Sequence, residues 1–428
     1  MYTYDPGTKR LNAVGGKIRT QAVIVRGRAK MHGVLYEPQE RTEKSRIGIV
    51  LLHSDDDYSD FPIAAALAAQ GYRCLAGQVS APGGGFGQKL LDVKRAAQIL
   101  KQLPGVEKIV LLGHSGGATL MSAYQAAAEQ GAALWARDDL LYPLQLEEEL
   151  IPADALMLLD SNFGNGAMTL FSVDPAVIEE GNGQKLDPAL DIFNPQNGYD
   201  PECPAYSDAF LRQFFAAQRE RNNAILRRAL DRLTLIRQGK GNYVEDEPFL
   251  VTGAAQMMVA NKMIPQDVRL LAHTKNAYPL LHTDGPATHE IISCRRRPRG
   301  GKPVTPELHF CVMSTVRAYL SNRAVQAGAD YAIHADGVTG VLWDNTYTCT
   351  PGNVKHIAAP MLILGMTGSY EYLAAEEIWT NAKSRDKTIA FVDGAGHNFD
   401  AAGREAEFGH TETLVYDACD RWLSERFC

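Results

Sequence analysis

The stretch KIVLLGHSGGATLMSAYQAAA, residues 108–128, decides how this chain folds. It opens with KIVLL, an apolar, β-rich run of the kind that fills a buried parallel strand. From Ala118 it becomes alanine-rich and helix-favouring. Between the two, Gly113-His114-Ser115-Gly116-Gly117 leaves space for one sharp turn only. Side chains two positions before and two positions after the serine would collide in such a turn, and glycine at 113 and 117 avoids that. Ser115 is thereby lifted above the sheet, at the start of a helix whose first N–H groups have no partner inside it. The G-x-S-x-G pattern alone is a modest signal, and the strand before it and helix after it give it weight. The competing reading is a glycine-rich joint with Ser115 as a simple N-cap.

Working outward, the same alternation repeats. Residues 23–25 and 31–36 read as an early hairpin, and IGIVLLH (47–53) as another buried strand. A helix over 61–70, a strand over 73–79, the loop APGGGFG (81–87) and a helix over 89–103 lead to the elbow. ALMLL (155–159) is the next strand. The rhythm then lapses. The segment 165–355 begins rich in Pro, Asn, Asp and Gly, and holds a long helical stretch (207–238) with room for one break. It ends in a loop-rich part carrying His273, His282, His289 and Arg295-Arg296-Arg297. The rhythm returns with MLILGM (361–366), a helix over 374–382, TIAFV (388–392) and a final helix striped by Leu414, Val415, Ala418, Cys419, Trp422 and Leu423. Alternating strands and helices imply right-handed βαβ units. The fold class is therefore α/β: a mostly parallel central sheet flanked by helices, with a large, mainly helical cap insertion. The expected parts are 1–164 (first part of the core), 165–355 (cap) and 356–428 (second part of the core).

Composition narrows the function classes. The 428 residues are 45% hydrophobic and 22% charged, with a formal charge of -7, which disfavours a nucleic-acid partner. Seven cysteines, an odd number without a CxxC pair, speak for a reducing compartment rather than a disulfide scaffold or zinc ribbon. The N-terminal MYTYDPGTKRLNAVGG lacks an apolar signal core, and no run of eighteen apolar residues occurs, so a cytoplasmic protein that avoids membranes is expected. The histidines show no HxxxH or HExxH spacing, so neither metal nor cofactor is expected. The expected partner is a small-molecule substrate, with a homodimer compatible with everything seen.

A serine on such a turn needs a base. His397, in Asp393-Gly394-Ala395-Gly396-His397-Asn398-Phe399, follows the last strand and so belongs at the carboxyl edge of the sheet, where open α/β sheets place their chemistry. A third group should fix the imidazole tautomer. The chain order Ser…acid…His looks for it after MLILGM, where no aspartate occurs. Glu371 is preferred by position, with Glu376 and Glu377 as alternatives and Asp160, after ALMLL, as a further origin. Each glutamate also reads as a solvated helix-start residue. For an oxyanion, Gly116 offers one backbone N–H, and the loop His53-Ser54-Asp55-Asp56-Asp57 a second, from Asp55 or Ser54. Three carboxylates there oppose an oxyanion and read more plainly as a solvated loop. Arg295 to Arg297 are weighed as a substrate-carboxylate patch against a solvated surface.

The strand-GHSGG-helix elbow, the HSD loop and GAGHNF together resemble the α/β-hydrolase superfamily over about half the chain. The middle segment, with LDPALDIFNPQNGY, resembles that of large-cap bacterial members. The resemblance implies Ser115 as nucleophile and His397 as base in hydrolysis of a carboxylic ester or related acyl bond. It departs from the family in His53-Ser54, where His-Gly is usual, and in the missing aspartate after the penultimate strand. Two other readings remain at this stage: a carbon–carbon hydrolase or acyltransferase on the same residues, and a non-catalytic binding protein on this fold.

Overall fold

The computed structural model describes residues 17–25, 31–255, 262–297 and 311–428. The N-terminal stretch read above lies outside them, as do parts of the expected cap. The central sheet has ten strands: β1 (Ile18–Val25), β2 (Met31–Pro38), β3 (Ile47–His53), β4 (Arg73–Gln78), β5 (Lys108–Ser115), β6 (Ala155–Ser161), β7 (His273–Leu281), β8 (Thr288–Ser293), β9 (Met361–Met366) and β10 (Lys387–Val392). Their spatial order is β1-β2-β4-β3-β5-β6-β9-β10-β7-β8. From β4 across to β7 every pairing is parallel. Only β2, against β1 and β4, and β8, against β7, run antiparallel to their neighbours.

The unbroken apolar runs follow from burial on both faces. Val50 and Leu52 of β3, with Leu111 of β5, point into one core, while Ile49 and Leu51, with Val110 and Leu112, point into the other. The first core is closed by α2 (Phe86–Gln102) and α3 (Gly116–Gln130), through Leu90, Val93, Leu120 and Met121. The second is closed by α1 (Pro62–Ala69) and α5 (Thr411–Phe427), through Ile63, Leu67, Val415, Cys419, Trp422 and Leu423. Each such side chain, fully buried, contributes about 1.5–3 kcal/mol. The fold is α/β, a mostly parallel central sheet flanked by helices, and the core strands sit where the periodicity put them.

The middle segment departs from its reading in two ways. The long helix, α4 (Asp208–Arg237), runs for 30 residues without a break. Ser207 caps it, its Oγ accepting from the Phe210 N–H at 3.2 Å. Asn222 and Asn223, weak helix formers, are spent on the carbonyls of Val325 and Ala327 at 2.9 and 2.8 Å. Secondly, the loop-rich part supplies β7 and β8, which extend the central sheet beyond β10. β7 pairs with β10 at Leu280 and Leu281, beside Pro279, and is polar along its first half, so its pattern hides a strand. No helix among the described residues is long and apolar enough to cross a membrane.

Candidate functional site

Each of the parallel strands β3, β5, β6, β9 and β10 delivers a residue to one carboxyl edge of the sheet: His53, Ser115, Asp160, Glu371 and His397 respectively. Ser115 ends β5 with φ 53° and ψ -128°, between strand and α3. A non-glycine residue there costs about 1–3 kcal/mol of backbone strain. The glycines that permit it are sterically required: a Cβ on Gly113 would lie 2.5 Å from Ala118 Cα, and one on Gly117 would lie 2.8 Å from the Leu52 carbonyl oxygen.

Positive φ recurs around this edge. Five described non-glycine residues have it, and Asp160 (39°), Phe399 (78°) and Ala402 (51°) join Ser115 here. Asp160 owes its conformation to a register shift. His114 pairs with Leu159 but Ser115 pairs with Ser161, leaving Asp160 as the extra residue of a bulge. The bulge turns its carboxylate toward the neighbouring strand. Asp160 Oδ1 accepts from the Met366 N–H at 3.0 Å, and Oδ2 lies 2.7 Å from His397 Nδ1.

Glu371, the preferred acid, does approach the imidazole, with Oε2 at 3.8 Å from Nδ1, but the hydrogen bond belongs to Asp160. The correction has a simple origin. β6 and β9 are parallel neighbours, so their ends lie at the same height, and an acid reaches the histidine from either. Glu376 and Glu377 are corrected too. Glu376 accepts from the backbone N–H groups of Lys275 and Asn276, at 2.9 and 3.0 Å, and so stitches the irregular start of β7. Glu377 bonds Asn381 at 2.9 Å.

Burial works to lower the His397 pKa, but Glu371 and then Asp160 outweigh it and raise it to about 9. Burial raises that of Glu371, an effect that His397 opposes and the Asp160 charge reinforces. The two carboxylates therefore favour the protonated imidazole at this edge.

His114 was passed over in the sequence and turns out to hold the loop that carries His397. Its Nε2–H donates to the His397 carbonyl at 2.7 Å, and its Nδ1 faces the Tyr58 hydroxyl, also at 2.7 Å. A carbonyl only accepts, so Nε2 carries the proton and Nδ1 receives the tyrosine's. Burial keeps this imidazole well below the ordinary histidine range. Its ring also packs against His397 at 4.6 Å and Phe399 at 4.9 Å between centroids. The signal for it was its place beside Ser115, inside a glycine frame that buries whatever side chain stands there.

The loop after β3 differs from expectation. The Asp55 N–H donates to His53 Nδ1 at 3.1 Å, so of the two donors the sequence offered, Asp55 and Ser54, the first is not free to serve an oxyanion. Nor is the Asp55 carboxylate left to solvent alone, its side chain being 23% exposed. Lys89, fully buried, donates to it at 3.1 Å, and Asn322 does so at 3.3 Å. Burial would raise the Asp55 pKa, but Lys89 and then Arg323 hold it down at about 2. Two of the three arginines are likewise committed: Arg295 pairs with Asp393 at 2.8 Å, and Arg296 donates to the carbonyls of Ile264 and Leu270.

No protein-family model matches the chain, and no curated protein does. Solved structures resemble it at low identity. A hypothetical protein of Pseudomonas aeruginosa is 13% identical with a TM-score of 0.45, over 96% of this chain and 95% of that one. DcsB, solved in complex with its substrate analogue, is 12% identical with a TM-score of 0.48, over 96% and 99%. Est1E from Butyrivibrio proteoclasticus is 12% identical with a TM-score of 0.41, over 94% and 98%.

Proposed function

We propose that this chain is a serine hydrolase acting on a carboxylic ester or related acyl bond, with Ser115 as nucleophile, His397 as general base and Asp160 as the acid that orients the base. One observation carries the reading: the bulged Asp160 holds His397 Nδ1 at 2.7 Å on the same sheet edge as the strained Ser115. An anchored Nδ1–H leaves Nε2 as the basic nitrogen. Ser115 Oγ attacks the acyl carbon while Nε2 takes its proton. The carbonyl oxygen becomes an oxyanion beside the Gly116 N–H, and collapse expels the alcohol with the proton from His397. Water, activated by the same imidazole, then releases the acid and restores Ser115.

Residues 165–355 shape the substrate pocket in this reading. Support comes from the loop after β3, where Asn165 and Asn322 of that segment bond Ser54 and Asp55. The test is turnover of an acyl-ester panel by wild type and Ser115→Ala. Loss on the order of 10⁶-fold in the variant is expected. Retained turnover would refute the assignment.

A further inference from the structure

With the Asp55 N–H spent on His53, one of the two backbone donors expected from the loop after β3 is committed and the Ser54 N–H is left as the other. Three polar side-chain atoms crowd Gly116, the residue after the nucleophile. A Cβ there would lie 2.8 Å from Ser54 Oγ, 3.0 Å from His53 Nε2 and 3.1 Å from Asn165 Oδ1. Two of these groups have their protons committed. The Ser54 hydroxyl donates to Asp55 Oδ2 at 2.9 Å. The Asn165 amide donates to Ser54 Oγ and to Asn322 Oδ1, both at 3.1 Å.

His53 is different. Its Nδ1 accepts two backbone N–H groups, from Asp55 at 3.1 Å and Asp56 at 2.9 Å. A ring nitrogen that accepts cannot carry the proton, so the proton is on Nε2. Burial disfavours the doubly protonated ring and keeps this tautomer at neutral pH. The ring is held flat against Tyr58, with centroids 4.8 Å apart and planes 15° apart. Among the described residues no acceptor meets Nε2. The result is a neutral N–H in a fixed ring, 3.0 Å from where a Cβ on Gly116 would lie, and a fixed neutral donor beside the developing charge is what an oxyanion requires.

We propose that His53 is a catalytic residue whose Nε2–H donates to the oxyanion alongside the Gly116 N–H, in place of the Asp55 N–H. The proposal rests on the acyl-transfer reading, with Ser115 as nucleophile. It gives a role to a histidine that otherwise reads as packing, and it accounts for an acidic loop beside a developing negative charge. The carboxylate of Asp55 is turned to Lys89 and Arg323, while the loop's N–H groups lock the imidazole.

Two variants separate donor from scaffold. His53→Asn keeps an oxygen near the Nδ1 position to accept the loop N–H groups but has nothing at Nε2. His53→Gln reaches the Nε2 position with an amide N–H. The probe is an alkyl trifluoromethyl ketone. Ser115 Oγ bonds to its carbonyl carbon, the serine proton passes to His397, and the ketone oxygen becomes the oxyanion. Its affinity is measured beside kcat, KM and labelling of Ser115 by a fluorophosphonate. His53→Asn should weaken ketone binding and lower kcat by about 10²–10³-fold with KM nearly unchanged, and His53→Gln should recover part of the loss. A His53→Asn protein that binds the ketone as wild type does overturns the role of His53 alone. A wild type that neither binds ketone nor is labelled at Ser115 overturns both readings. Should His53→Asn fail to fold, nitrogen-15 NMR of wild type decides: the His53 Nε2–H resonance must move downfield on adduct formation, and an unmoved resonance overturns the proposal.

Discussion

His397 Nδ1 stands 2.7 Å from Asp160 and 3.8 Å from Glu371, so one imidazole is flanked by two carboxylates with unequal claims on it. Asp160 holds the bond and also takes the Met366 N–H, which fixes its orientation. Glu371 acts on the ring through charge. The two should separate under mutation.

Asp160→Asn removes the acceptor that selects the tautomer. Turnover should fall on the order of 10⁴-fold. Glu371→Gln leaves the bond in place and should keep turnover within roughly tenfold. Steady-state kinetics on one ester substrate compares them directly. Equal losses would show that Glu371 shares the anchoring role.

The pH dependence follows from the raised pKa. A general base works unprotonated, so kcat/KM should climb with pH and level off only above about 9. Glu371→Gln removes the largest raising influence and should move that limb toward the ordinary 6.5. The stability sign is opposite. A group whose folded pKa is raised contributes fully below its unfolded value and loses the contribution as pH rises through the folded one. Thermal melts should therefore show wild type losing between pH 6.5 and about 9 a contribution that His397→Gln lacks.

His114→Phe keeps the ring packing and removes both hydrogen bonds. The Tyr58 hydroxyl and His397 carbonyl lose these partners, at a cost of about 1–3 kcal/mol. kcat should fall with KM little changed, because the loop carrying His397 is loosened while the pocket stays. Tyr58→Phe should do the same more mildly. Melting curves and the kcat-against-KM split read both effects.

Much of this was legible in advance, and the exceptions have physical causes. The strands and the elbow were readable because burial on both faces writes unbroken apolar runs, and because the turn at Ser115 tolerates only glycine at 113 and 117. Asp160 was visible as a candidate, but its selection depends on a one-residue bulge between β5 and β6, and register leaves no mark on composition. Glu376 had the right charge and place, yet the irregular start of β7 claims it. β7 itself was hidden by its polar first half and Pro279. His53 was read as the end of a strand because its tautomer is set by two backbone N–H groups that only the folded loop aims at it.

Glu376→Ala tests that division of labour. The backbone N–H groups of Lys275 and Asn276 lose their acceptor. Stability should drop by about 1–3 kcal/mol in chemical denaturation, while kcat/KM measured well below the melting temperature stays as in wild type.

The most direct test is the site of covalent capture. Native protein treated with a fluorophosphonate and digested should yield one modified peptide with the adduct on Ser115, formed far more slowly in Asp160→Asn and absent after heat denaturation. Absence of an adduct, or an adduct on another residue in the native protein, would contradict the assignment of Ser115 as nucleophile.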